Sequence, residues 1–129
     1  MRLLLDTHVL IWWLRDNPQL GQRSRSIISH SDVEVLFSVV SCWEASLKYR
    51  LGKMEMSGAY MWRQALEEGF EGITIQPGHL DELEGLSVVP GHKDPYDHLL
   101  VAQAKAEGAA LMTVDRALTG YGVPCIGVR

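Results

Sequence analysis

Short apolar runs alternate with stretches of helical period along all 129 residues, and no other feature limits the fold so strongly. RLLLD (2–6), VEVLFS (33–38), GITIQP (72–77), AALMTVD (109–115) and VPCIGV (123–128) are short, aliphatic or β-branched, and read as strands. Between them lie segments with helical spacing: THVLIWWLRD (7–16), 19–30, SCWEASLKYRLGK (41–53), AYMWRQALEEG (59–69), 78–86 and 94–108. DPYDHLLVAQAKAEG (94–108) is the strongest helix, because Asp94 precedes Pro95 at its first turn, alanines fill its body and Gly108 closes it. Alternation of this kind predicts an α/β fold of three layers with a mostly parallel central sheet. Such sheets bind ligands beyond the carboxyl ends of their strands, where strand order reverses. The length suits one domain, 1–129, with a real core.

Composition removes several classes. Hydrophobic residues make up 47% of the chain, too many for a disordered segment. No apolar run approaches the roughly 20 residues of a membrane helix. The greasy start, MRLLLDTHVLIWWLRD, is broken by Asp6 and His8 and lacks a small-residue cleavage site. A soluble, cytoplasmic protein is expected, with Cys42 and Cys125 as reduced, buried thiols. The net charge of −4 argues against a broad basic nucleic-acid surface. It leaves room for a local basic rim around an acidic centre.

Four acids carry the chemistry. Asp6 ends the first strand, Asp115 ends the fourth, Asp97 lies in the first turn of the strongest helix, and Glu44 lies in the first turn of the helix after the second strand. All four therefore fall on one edge of the sheet, whatever their distance along the chain. Clustered carboxylates repel, and a divalent cation relieves that repulsion. All-oxygen donor sets suit Mg²⁺ and Mn²⁺, and such a site serves phosphodiester hydrolysis. Each acid also has a plainer reading: Asp94 as a helix cap, Asp97 as a partner of the helix dipole, Asp6 and Asp115 as helix starts, Glu44 as a solvated glutamate.

LLLDTHVLIWWL, SCWEASLKYRLGK, HKDPYDHLLVAQA and LMTVD, in this order and spacing, resemble the PIN-domain ribonucleases, and among them the VapC-type toxins of toxin–antitoxin pairs. The resemblance spans nearly the whole chain. It implies an α/β/α sandwich, Mg²⁺ or Mn²⁺ as cofactor, and endonucleolytic cleavage of RNA. By motif, Asp6, Glu44 and Asp97 match the family's three central acids and Asp115 its more variable fourth, as both catalytic and metal-binding residues. Asp94 matches a position at the helix entrance, read as cap or outer support. His98 departs from the pattern, since relatives commonly carry arginine there. Family membership also implies a homodimer, and a cognate antitoxin protein that blocks the acidic pocket.

The remaining polar residues stay open between support and contact. His92 orients a loop or touches substrate, and Thr7 and Ser41 cap helices or hold carboxylates. Thr113 reads as structural. Lys48, Arg50 and Lys53, and more remotely Arg15 and Arg116, either grip phosphates or stay solvated. Trp12, Trp13, Trp43 and Trp62 raise the question of base stacking; two sit in apolar helices and read as core or subunit contacts, and Trp62 with Met61 as a groove for a partner helix. Two other functions compete: a phosphoacceptor signalling domain, which would need an acidic pair after the first strand and a lysine after the last ones, and a PIN-like binding module without catalysis.

Overall fold

The computed structural model describes residues 1–128. In chain order the elements are β1 (Arg2–Leu5), α1 (Thr7–Leu14), α2 (Gln22–Ser29), β2 (Glu34–Ser38), α3 (Val39–Arg50), α4 (Gly58–Glu67), β3 (Glu71–Ile73), α5 (Pro77–Glu84), α6 (Pro95–Ala106), β4 (Ala110–Thr113), a 3-10 helix (Arg116–Tyr121) and β5 (Cys125–Gly127). The sheet order is β3-β2-β1-β4-β5, and all four pairings are parallel. The chain builds outward from β1 in one direction, through β2 and β3, then crosses back to place β4 and β5 on the other side. Strand order therefore reverses between β1 and β4, where their carboxyl ends leave a crevice.

Alternation within the strands sorts the core into two layers. Leu3 and Leu5 of β1, Val35 and Phe37 of β2 and Met112 of β4 pack under α1, α2 and α4. Leu4, Leu36 and Leu111, the residues between them, face the opposite way onto Leu100, Val101 and Ala104 of α6. Helices thus cover both faces of the sheet, which is why its strands read as continuous apolar runs. The result is the expected three-layer α/β/α sandwich. At Leu118 and Tyr121, both buried, the 3-10 helix closes the α6 side.

Several element bounds are tighter than the sequence reading, β4 and β5 among them, and three differences matter more. β3 ends at Ile73, and the rest of GITIQP leaves the sheet: Ile75 is exposed, and the Gln76 backbone N–H donates to His79 Nδ1 at the start of α5. The run 116–121, assigned to no element from sequence, forms the 3-10 helix. Helix α3 begins at Val39, because the Ser38 hydroxyl accepts from the Val40 N–H and caps it. Glu44 therefore sits two residues deeper than expected, in the second turn.

Helices α3 and α4 touch backbone to backbone at Gly58. A Cβ there would lie 1.8 Å from the Cys42 carbonyl oxygen and 2.3 Å from Ser46 Oγ. Gly58→Ala must push the two helices apart, and is expected to destabilise the fold by about 3 kcal/mol. Urea unfolding checks it, as a lower midpoint at an unchanged slope.

Candidate functional site

Asp6 is the last residue before α1 and serves as its cap, accepting the Val9 N–H at 2.9 Å. Its other oxygen accepts the Val114 N–H at 3.3 Å, across the crevice from β4. Thr113 also hydrogen-bonds this carboxylate, and its Oγ1 accepts the Asp115 N–H at 3.0 Å. Thr113 thus links the first acid to the fourth. The sequence reading gave it no such part, because a threonine on a buried strand carries no local sign of what it faces. Although these donors favour the ionised form, burial outweighs them and raises the Asp6 pKa.

Asp97 stands in the first turn of α6, below the Asp94 cap, whose carboxylate accepts the Tyr96 and Asp97 N–H groups. Its pKa is pushed up to about 7, first by burial and then by the charges of Asp94 and Asp6, with Glu44 adding to them and His92 opposing. Asp97 therefore lies within electrostatic reach of Asp6 and Glu44, as well as of the capping Asp94. Glu44 is buried, not solvated, on the second turn of α3, and Lys48 Nζ donates to its carboxylate at 2.8 Å.

Asp115 is the most exposed of the four acids. His92 ties it to Asp97: His92 Nε2 lies 3.2 Å from Asp115 Oδ2 and 3.5 Å from Asp97 Oδ2. The other side of that imidazole is fixed. His98 Nε2 lies 3.1 Å from the His92 carbonyl oxygen, which only accepts, so this nitrogen carries a hydrogen. It also lies 3.2 Å from His92 Nδ1, which faces the Tyr121 hydroxyl at 3.0 Å. His92 Nε2 faces the Asp115 carboxylate, which accepts, so this nitrogen carries a ring hydrogen and donates to Asp115. The ligand atoms of His92, Asp97 and Asp115 lie within 4.8 Å of one another. In this arrangement the His92 Nε2–H bridges the two acids. Tyr121→Phe removes one donor from this buried network and is expected to cost about 1 kcal/mol, read as a lower melting temperature.

Other expectations are sorted by the same geometry. Asp94 is a cap whose charge also bears on Asp97. Ser41 and Thr7 cap nothing: Thr7 Oγ1 donates to Ser41 Oγ at 3.0 Å, both buried, because Asp6 and Ser38 take the capping positions. Of the basic residues on α3, only Lys48 reaches an acid of the cluster; Arg50 and Lys53 are exposed. Arg15 pairs with Glu55 instead. Met61 is fully buried, whereas Trp62, edge-on against Phe37, also lines an open apolar groove of about 400 Å³ with Trp43, Cys42 and Ala59. The exposed apolar residues nearby are Trp43, Tyr49 and Tyr60. Cys42 is buried as expected, whereas Cys125 is only partly so.

The donor chemistry fits a hard divalent cation. The central groups are carboxylates, two of them with pKa values raised by burial, and Lys48 pairs with a third, Glu44. Oxygen donors at mutual repulsion are what Mg²⁺ and Mn²⁺ relieve.

Fold and site together define an α/β/α domain with an acidic centre at its topological switch. The chain belongs to the PIN domain family, which it matches over residues 3–123. It is 30% identical over 123 residues to Ribonuclease VapC22 of Mycobacterium tuberculosis (strain ATCC 25618 / H37Rv), covering 95% of this chain and 93% of that one. Its fold resembles VapBC2 from Rickettsia felis bound to a DNA fragment from its promoter, with TM-score 0.67, 15% identity and 98% of each chain covered. DNA-bound VapBC from Salmonella typhimurium gives TM-score 0.64 at 19% identity, covering 100% of this chain and 99% of that one.

Proposed function

We propose that this PIN domain is a metal-dependent endoribonuclease, the toxin of a toxin–antitoxin pair, acting as one domain over 1–129 in the cytoplasm. The observation that carries this reading is Asp97: a half-buried carboxyl beside His92 and Asp115, raised to about 7 by its surroundings, in the field of Asp6 and Glu44 at the sheet's switch point. An enzyme that pulls acids together against their charge needs a cation to make use of them. The 30% identity to a protein named as a ribonuclease supports the choice of RNA as substrate, and the structural likeness to VapBC complexes supports an antitoxin partner. The absence of any helix long and apolar enough to cross a membrane, among the described residues, fits the location.

Asp6, Glu44 and Asp97 would hold Mg²⁺ or Mn²⁺, with Asp115 at its outer side. When bound, the ion lowers the pKa of water and offsets charge on the phosphoryl oxygens. The chain's own residues supply position. Asp6 is fixed by three hydrogen bonds from α1 and β4. The Asp115 Oδ2 atom is aimed by His92 Nε2–H, yet stays open enough to meet a water arriving with the substrate. Lys48 neutralises Glu44 and would turn outward toward phosphate once a cation takes its place. Two candidate nucleophiles are poorly set for a covalent route: burial pushes the Cys42 thiol up to about 11, and Ser41 is buried with its Oγ accepting from Thr7.

Incubation of the purified protein with total RNA is the test, with Mg²⁺ or Mn²⁺ in one arm and EDTA in the other. Internal cuts that require the ion are expected. Intact RNA in both arms, from protein that binds Mn²⁺, would leave a binding module instead. A homodimer is expected on gel filtration, with Trp43, Tyr49 and Tyr60 as the apolar surface available for subunit or antitoxin.

A further inference from the structure

Beside the acids lies a cavity of about 570 Å³, a size typical of small-ligand pockets. Thr113 and Asp115 belong to both, so whatever occupies the cavity lies next to the reacting centre. Its other walls come from Trp12 of α1, Arg116 and Thr119 of the 3-10 helix, and Cys125 of β5. Trp12 is half-buried: it packs against the core on the sheet's α1 side and still lines the cavity. The exposed His8 ring meets it edge-on, with ring centroids 6.2 Å apart. Arg116 is exposed and makes no ion pair among the described residues, although it directly follows Asp115.

Lining the cavity next to Asp115, without a carboxylate partner among the described residues, the guanidinium can meet something anionic that arrives. An indole surface at the other wall suits a flat, polarisable ring, and every nucleobase has such a face. The Thr119 hydroxyl adds a polar contact, although it now donates to the Arg116 carbonyl at 2.8 Å. Aromatic wall, cation and hydroxyl around one cavity match a nucleotide better than an apolar peptide segment. A chain of net charge −4 also needs a local cation to hold a polyanion against its own acids.

We propose that this cavity is a subsite for the nucleotide flanking the scissile phosphate, with its base against Trp12 and its phosphate on Arg116. The assignment rests on the nuclease reading for its role, but its binding chemistry can be tested without cleavage. In ¹H–¹⁵N spectra of the Mg²⁺-loaded protein, the Trp12 indole signal is identified by its loss in Trp12→Phe. Nucleoside 5′-monophosphates are expected to shift that signal, and ribose 5-phosphate is not, since it has no base to stack. Arg116→Ala is expected to weaken nucleotide binding by roughly fivefold, the scale of one charge-assisted contact, without moving the unliganded Trp12 signal. Trp12→Phe keeps an aromatic face and is expected to retain binding, whereas Trp12→Leu is expected to lose the difference between nucleotides and ribose 5-phosphate. A Trp12 signal unmoved by all four nucleotides would give the cavity to a protein partner and overturn the proposal. So would an equal response to ribose 5-phosphate. Failure of RNA cleavage with the Trp12 response intact would remove the nuclease reading and leave a nucleotide site; cleavage without that response would do the reverse.

Discussion

Asp97→Asn is expected to abolish divalent-dependent RNA cleavage and, in metal-free protein at neutral pH, to make the fold more stable. The two effects have one origin. The Asp97 carboxyl carries a pKa of about 7 against an ordinary 3.8, through burial and the charges of Asp94 and Asp6. Because the folded state binds this proton more tightly than the unfolded chain, ionisation works against folding. The stability associated with the proton is fully present below about pH 4 and is lost as pH rises toward about 7. At about 1.4 kcal/mol per pKa unit, the charge opposes folding by on the order of 4 kcal/mol above that window. Asparagine keeps the size and the contact toward His92 without the charge, so the variant should recover on the order of 2–4 kcal/mol at pH 8 and little at pH 4. Cleavage should fall by about three orders of magnitude or more, as when a group acting on developing charge is removed. Urea unfolding at both pH values in EDTA, alongside the RNA assay, measures both. A variant less stable than wild type at pH 8 would mean that Asp97 is an ordinary satisfied polar group. Wild-type cleavage rates would remove it from the site.

The sequence reveals this site unevenly, for physical reasons. Asp94 was legible as a cap because Asp-Pro at a helix entrance is a local signal, and the structure places it there. Asp6 was legible as a strand end because the apolar run RLLL stops at it. Asp115 follows β4 by two residues, and the strand-end reading was near enough to put it on the correct edge. Glu44 was placed two residues too near the start of its helix. Val39 and Val40 continue the β-branched pattern of β2, and only tertiary packing makes them the first turn of α3. The tie from His92 to Tyr121 had no signal to find: 29 residues separate them, and the contact depends on how the 3-10 helix packs on α6. Trp12 read as core from its apolar helix and is core on one side, but sequence cannot show that a cavity opens on the other. Periodicity thus located the layers and the edge, and what crosses the crevice came only from the folded chain.

Mn²⁺ or Mg²⁺ is expected to stabilise wild type strongly and to reverse the direction of its pH dependence. Without the ion, Asp6 and Asp97 both have raised pKa values, so stability falls as pH climbs toward 7. A cation needs those same carboxylates ionised, so its affinity rises as they lose their protons. Saturation at about a hundred times the dissociation constant adds about 2.7 kcal/mol if only the native state binds. Melting temperature measured from pH 5 to 8 should therefore decline in EDTA and hold level or rise with Mn²⁺, the curves parting most at pH 8. Asp6→Asn should remove most of that separation, because Asp6 is the acid with the most fixed position, while Lys48→Met should enlarge it by releasing Glu44. The lysine variant also discriminates between roles for the cation on α3. If Lys48 only balances charge, the ion makes it dispensable for stability; if it grips substrate, cleavage weakens through KM while the melting curves still part. Curves that stay superimposed with and without Mn²⁺ at every pH would mean that the acids meet without sharing an ion, and the nuclease reading would lose its physical basis.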